Sequence, residues 1–455
     1  MSKKYRHYNP KQELLIAPNL HDWLPDDHLA YFIDKLIDDM DISEITDHYE
    51  RSDCGNPPYN PAMMVKVIVY SYCIGCRSSR KIAKALYEDV AFRVLAANNF
   101  PDFRTISDFR KIHLSAVEGM FDHVLNLCDE AGLVKLGTVA IDGTKVKANA
   151  SIDKNYTHET LERKERQIQE ITRKIFEEAE RIDKEEDRIY GKDKRGDELP
   201  EGFRTHKEQL ERIREARERI EKKQRKKKEE YDAKVEARAN KEAKSGKKLR
   251  GRKLKKVDDK FDDSDKANTT DPDSQIMKAR HGYIQGFNAQ IVVDCDSQVI
   301  VATHLTQDHN DLYQLSPMMK QTISNTGRKP KHATLDAGYD YEDQMKEFAN
   351  EIDLYIPSQK GWKQRKAMRD QPPPRGRIPN DMTFRERMNR KLLTKKGKKI
   401  YKKRAVVEAV NGQIKSARGI DRLLLRGKEK GNGEWNLICT THNILKLWRK
   451  KAING

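Results

Sequence analysis

Tyr401, Arg404, Glu408 and Lys415 form a Y-x2-R-x3-E-x6-K series. Read as one continuous helix at about 100° per residue, the four fall within roughly 60° of a single face. Val406, Val407, Val410 and Ile414 fall about 140° away, so such a helix buries one side and presents a carboxylate flanked by cations on the other. A carboxylate holds a divalent cation, while an arginine, a lysine and a tyrosine hydroxyl hold phosphate oxygens. A lone glutamate is a poor site for Mg²⁺, so further acids, presented by strands, must meet Glu408.

Two candidates stand out. Residues 137–146 read as a strand with one acid, Asp142, on an apolar run followed by Gly143. Residues 331–340 read as a second short strand ending on Asp336 before a small-residue turn, where parallel strands of an α/β sheet place ligands and catalytic groups. With 72 acidic residues in the chain, many such triples exist and a solvated acid is the ordinary alternative for any one of them. The surrounding motifs supply the specificity.

The chain resembles the DDE transposases of bacterial insertion sequences, in the branch carrying the Y-x2-R-x3-E-x6-K signature. The similarity covers Ile141–Thr144 with Lys145–Ser151, Asp271–Ser274 running into Gly286–Gln290, and Leu335–Tyr339. It continues through Tyr355–Pro357, Val407-Glu408 with Gly412–Lys415, and Leu424–Gly427 with Gly433–Trp435. The resemblance implies an α/β, ribonuclease-H-like catalytic domain in which Asp142, Asp336 and Glu408 bind two Mg²⁺ ions, with Mn²⁺ able to substitute. Tyr401, Arg404 and Lys415 are then expected to bind DNA near the cleaved end; a polar rim on an amphipathic helix is the alternative for those three.

The order of elements agrees with that fold. Residues 288–293 and 299–305 read as a β-hairpin of β-branched residues, followed by a helix at 312–324, the Asp336 strand, a helix at 342–349 and a short strand at 354–356. The expected catalytic unit is a mixed five-stranded sheet with helices. A right-handed crossover would set the Asp142 and Asp336 strands side by side, with the Glu408 helix across them.

Three segments are expected. Residues 1–133 read as an all-α N-terminal domain for DNA-end binding, with Arg77–Lys84 as a basic helix start of helix-turn-helix kind or, alternatively, bundle surface. Residues 134–153 and 271–455 make the catalytic domain. Residues 154–270 are an inserted charged helical hairpin and basic linker: Leu161, Ile168, Ile175, Ile182 and Ile189 repeat every seven residues, and Leu210, Ile213 and Ile220 follow a turn at 191–200. The hairpin would brace a dimer, clamp DNA or act as a passive spacer. Trp435 and His442 read as packing and hydrogen-bonding residues of a terminal helix.

A net charge of +18 and a pI near 9.3 point to a polyanionic partner. Residues 241–256 hold nine basic residues against one acid, and residues 385–404 hold eleven against one. The expected partner is double-stranded DNA, as element terminal repeats and target, bound by a homodimer that joins two ends. Six scattered cysteines, including Cys73-Ile-Gly-Cys76 without a second ligand pair, point to a reducing cytoplasm and to a turn rather than a zinc site, and the resemblance implies nucleoid association there. No apolar run approaches the ~18 residues of a membrane span. The expected activity is Mg²⁺-dependent cleavage at element ends and 3′-OH strand transfer. The alternatives are a nuclease of the same fold without strand transfer, or a non-catalytic DNA-binding derivative.

Overall fold

The computed structural model describes residues 19–50, 57–190, 203–245, 257, 261–262, 265–279, 282–358, 374–379 and 381–454. Seven helices open the described chain: α1 (Leu29–Asp38), α2 (Ser43–Glu50), α3 (Pro61–Cys73), α4 (Ser79–Glu88), α5 (Val90–Leu95), α6 (Phe103–Ile112) and α7 (Leu114–Glu130). The start of α3 is set locally. The Asn60 side chain accepts from the Met63 N–H at 3.1 Å, and Pro61 occupies the first turn, where an N–H has no helical partner to lose. Cys73–Cys76 forms the end of α3 and the turn into α4, the turn expected for a Cys pair with no second ligand pair. Arg77 departs from the reader-helix expectation, because it is buried and its Nη1 pairs with Glu434 at 3.1 Å.

The sheet is built around β1 (Thr138–Lys147). Val139, Ala140 and Ile141 are fully buried in succession, which only a strand covered on both faces allows. After β2 (Asn155–Thr157), the insertion and β3 (Lys266–Asn268) come β4 (Gln275–Ala279), β5 (Gly282–Asp294) and β6 (Ile300–Thr306), then β7 (His332–Thr334) and β8 (Asp353–Tyr355). The strand order is β4-β5-β1-β7-β8, with β6 also on β5. The β5 and β6 strands pair antiparallel as a hairpin, and β1, β7 and β8 run parallel. Among the described residues the sheet has six strands, one more than expected. The extra strand is β4, whose short run around Lys278 carries no clear alternation but pairs with residues 282–286 of β5.

Helices α10 (Leu315–Thr326), α11 (Glu342–Phe348), α12 (Phe384–Leu393), α13 (Lys395–Lys402), α14 (Ala405–Gly412) and α15 (Lys428–Asn454) complete the described elements outside the insertion. The long α15 buries Trp435, Leu437, Ile438 and Ile444 against β6, α7 and α3, so one apolar core runs from the N-terminal helices into the sheet. His442 is satisfied by the Gln298 carbonyl at 2.9 Å.

The insertion is the expected pair of helices, α8 (His158–Tyr190) and α9 (Phe203–Ser245). Its base is held by Leu161, Ile213, Ala216 and Ile220 with Ala267 of β3. Glu165 is buried there between Arg214 at 2.8 Å and Arg217 at 2.5 Å. The expected turn at 191–200, and the part of the basic segment beyond residue 245, lie outside the described residues, as do the side chains of Ile182 and Ile189.

Candidate active site

The parallel pairing of β1 and β7 ends at Ala140 opposite Thr334. Asp142 and Asp336 each stand two residues beyond that pair, so two acids 194 positions apart in sequence leave neighbouring strands at the same level. Asp336 Oδ1 accepts from the Gly338 N–H at 2.7 Å, which fixes the turn after β7. Helix α14 lies across β1 and β5, held by buried Val407 and Val410. It carries Glu408 and, one turn on, Asn411, whose Nδ2 donates to Asp142 Oδ2 at 3.5 Å.

Charge is concentrated at this point. Burial, then the neighbouring Asp336 and, more weakly, Asp311 and Glu408, push the Asp142 carboxyl up to about 7, against the pull of Arg404. Burial also raises Asp336, with its Gly338 hydrogen bond opposing. Arg404 is one cation that these acids face. It forms an ion pair with Glu408 and feels Tyr401, Asp142 and Asp336 as well.

The four signature residues do not share one continuous helix. Between α13 and α14 the chain tightens into i→i+3 bonds, Arg404 N–H to Tyr401 and Val406 N–H to Lys403, and residues 413–417 open into a π-turn. Tyr401 therefore ends α13, Arg404 precedes α14, and Lys415 is turned toward β1. The Lys415 ammonium donates to the Lys145 carbonyl at 2.6 Å, and burial brings it down to about 8.

Two further groups belong to the same cluster, and the sequence reading passed over both. Asp311 Oδ1 accepts from Asn288 Nδ2 at 2.7 Å and from Gln290 Nε2 at 2.6 Å, and the Tyr339 hydroxyl donates to Gln290 Oε1. Gly143 makes room for this arrangement, because a Cβ there would lie 2.2 Å from Gln290 Nε2, 2.3 Å from Asp311 Oδ1 and 2.8 Å from Asn288 Oδ1. Lys145, on the same strand, has a buried Nζ without a hydrogen bond and feels Asp311, Asp142, Asp308 and Asp336. The available signal was the acid-rich loop 308–311 directly after β6.

The donor set suits a hard divalent cation: carboxylates only, mutually repelling, beside the buried and unpaired Oδ1 atoms of Asn288 and Asn411. With Glu408 turned onto Arg404, no group of three His, Cys, Asp or Glu side chains among the described residues is already drawn together as a closed ligand set.

Comparison with known families decides the identity. The model of the Transposase DDE domain matches residues 257–444, and that of the Transposase domain (DUF772) matches residues 18–112. The chain belongs to the DDE transposases of insertion sequences. Asp336 and Glu408 lie inside the DDE match, while Asp142 precedes it, on the far side of the insertion. No curated protein and no solved structure matches the transposase. As a DDE transposase it is a DNA-binding, DNA-transposing enzyme of a family that uses divalent metal ions, with a ribonuclease-H-like catalytic domain. Among its described residues no helix is long and apolar enough to cross a membrane.

Proposed function

We propose that the transposase cuts DNA at the ends of its element in an Mg²⁺-dependent reaction and transfers the freed 3′-OH into target DNA. The observation that carries this reading is that Asp142 and Asp336 stand two residues beyond the last β1–β7 pair, with the helix bearing Glu408 packed across β1. Asp142, Asp336 and Glu408 would hold the ions. Divalent cations held there activate a nucleophilic oxygen and stabilise the leaving oxygen of an in-line phosphoryl displacement. The residues of the chain then divide the remaining work. Asn411 orients Asp142, and Gly338 orients Asp336. Arg404, released from Glu408, grips a non-bridging phosphate oxygen, with Tyr401 beside it. Lys415 acts from the β1 side, near the cleaved end.

Residues 1–133 serve end recognition in this reading, and residues 134–153 with 271–455 the chemistry. Two ends must be joined together, so the working form is a homodimer. The test combines purified full-length protein, Mg²⁺ and labelled end DNA. Joined products are expected. Glu408→Gln should reduce their formation by about a thousand-fold or more, since several kcal/mol of charge stabilisation is lost. Cut but unjoined DNA would favour a nuclease, shifted but uncut DNA a binding protein, and undiminished cleavage by Glu408→Gln would remove the site assignment.

A further inference from the structure

Where the insertion meets the catalytic domain, a cleft of about 870 Å³ opens between α9, the loop after β6 and the start of α15. One acid closes its floor. Asp273 forms an ion pair with Arg219 of α9, accepts from Gln307 Nε2 at 3.2 Å, and accepts from the Lys428 N–H at 2.9 Å. A second acid, Asp265, holds Lys223 at 2.8 Å and Lys227 at 2.5 Å. These contacts tie α9 to β3 and to the segment ahead of β4, so the hairpin base forms one wall of the cleft and is not a detached arm.

The wall is basic. Lys222, Lys226 and Lys428 line the cleft without an ion-pair partner among the described residues. His304 and His309 are held toward the neutral form, first by burial and then by Lys428 and Lys223 respectively. The neighbouring hollow is mixed in charge, with Glu208, Glu211, Glu215 and Glu218 beside Arg212, Arg219, Lys222 and Arg426. Lys222 and Lys226 stand one helical turn, about 6 Å, apart and so reach separate phosphates of a backbone.

The cleft shares a loop with the candidate active site. Its lining includes Asp308, His309 and Asn310, and the next residue of that loop is Asp311, bound to β5 beside Gly143. We infer that this cleft is a binding track for the phosphate backbone of duplex DNA, formed jointly by the insertion and the catalytic domain and leading to the Asp142–Asp336 pair. The inserted hairpin is thereby a DNA clamp.

The inference rests on the transposase reading but is tested separately, by binding without metal or turnover. Equilibrium binding of a labelled duplex of arbitrary sequence is measured against salt for the full chain, for Lys222→Gln/Lys226→Gln/Lys428→Gln, and for a charge-matched control, Arg163→Gln/Lys207→Gln/Arg225→Gln. Circular dichroism confirms that the helices are retained. Each lost phosphate contact lowers the slope of log K against log salt by about 0.9, so the first variant should lose about 2–3 in slope and about ten-fold or more in affinity at low salt. The control should lose clearly less. An unchanged slope, or equal losses in both variants, overturns the inference. So does ATP binding that the first variant abolishes while duplex binding persists, which would make the cleft a small-anion pocket. The catalytic proposal fails on a different result, cleavage that survives Glu408→Gln.

Discussion

Asp142 concentrates the electrostatics of the site in one carboxyl. Its folded value near 7 lies above the ordinary 3.8, so between about pH 4 and about pH 7 the native state holds a proton that the unfolded chain has released. Stability contributed by this group is therefore present at low pH and declines as pH rises through that window, the reverse of an ion-paired carboxylate. Metal binding must displace the same proton. Thermal melts with and without Mg²⁺ should show a small stabilising shift near pH 6 and a larger one near pH 8; a shift independent of pH would contradict the role of Asp142 as a ligand. Asp142, Asp336 and Glu408 could be singled out in the sequence as candidates because each interrupts an apolar or signature-bearing run. Asp311 and Lys145 were not, because their significance comes from a strand pairing between residues far apart in the chain, Gly143 opposite Gln290.

At the scale of elements, the closest tolerance is between β1, β5 and the loop after β6. Gly143→Ala inserts a methyl into space already taken by Gln290, Asp311 and Asn288. Overpacking of this kind costs about 1–3 kcal/mol, to be read from urea denaturation, and it should depress DNA cleavage more than stability alone explains. Five strands of the main sheet were readable as short apolar, β-branched runs bounded by turns, and the inserted helices from apolar positions seven apart. The break between α13 and α14 was not. Residues 402–404 keep helical dihedrals while their hydrogen bonds shorten to i→i+3, and no residue type in that stretch forbids a continuous helix. An angular projection consequently overstated how closely Tyr401 and Lys415 align with Glu408.

Across the whole molecule, the N-terminal helices and the terminal helix are locked together through Glu434. This fully buried acid pairs with Arg77 and accepts from Tyr72 Oη at 3.2 Å and from the Leu424 and Leu425 N–H groups at 2.7 and 2.9 Å. Glu434→Ala strands a buried guanidinium and two amides, and should cost about 3–5 kcal/mol in denaturant unfolding. Because one core joins these regions, the loss should appear in a single transition and not as separate melting of the N-terminal part. The sequence did not reveal this lock, since Arg77 sits in a basic stretch that looks like surface.

The position of the insertion has one more consequence. Both neighbours of β1 in the sheet, β5 and β7, are encoded after the hairpin, so during synthesis the strand bearing the first acid waits for more than a hundred residues before it can pair. A ribosome that stops before β5 leaves a product in which the first of the proposed acids stands alone, without the strands that bring the others to it.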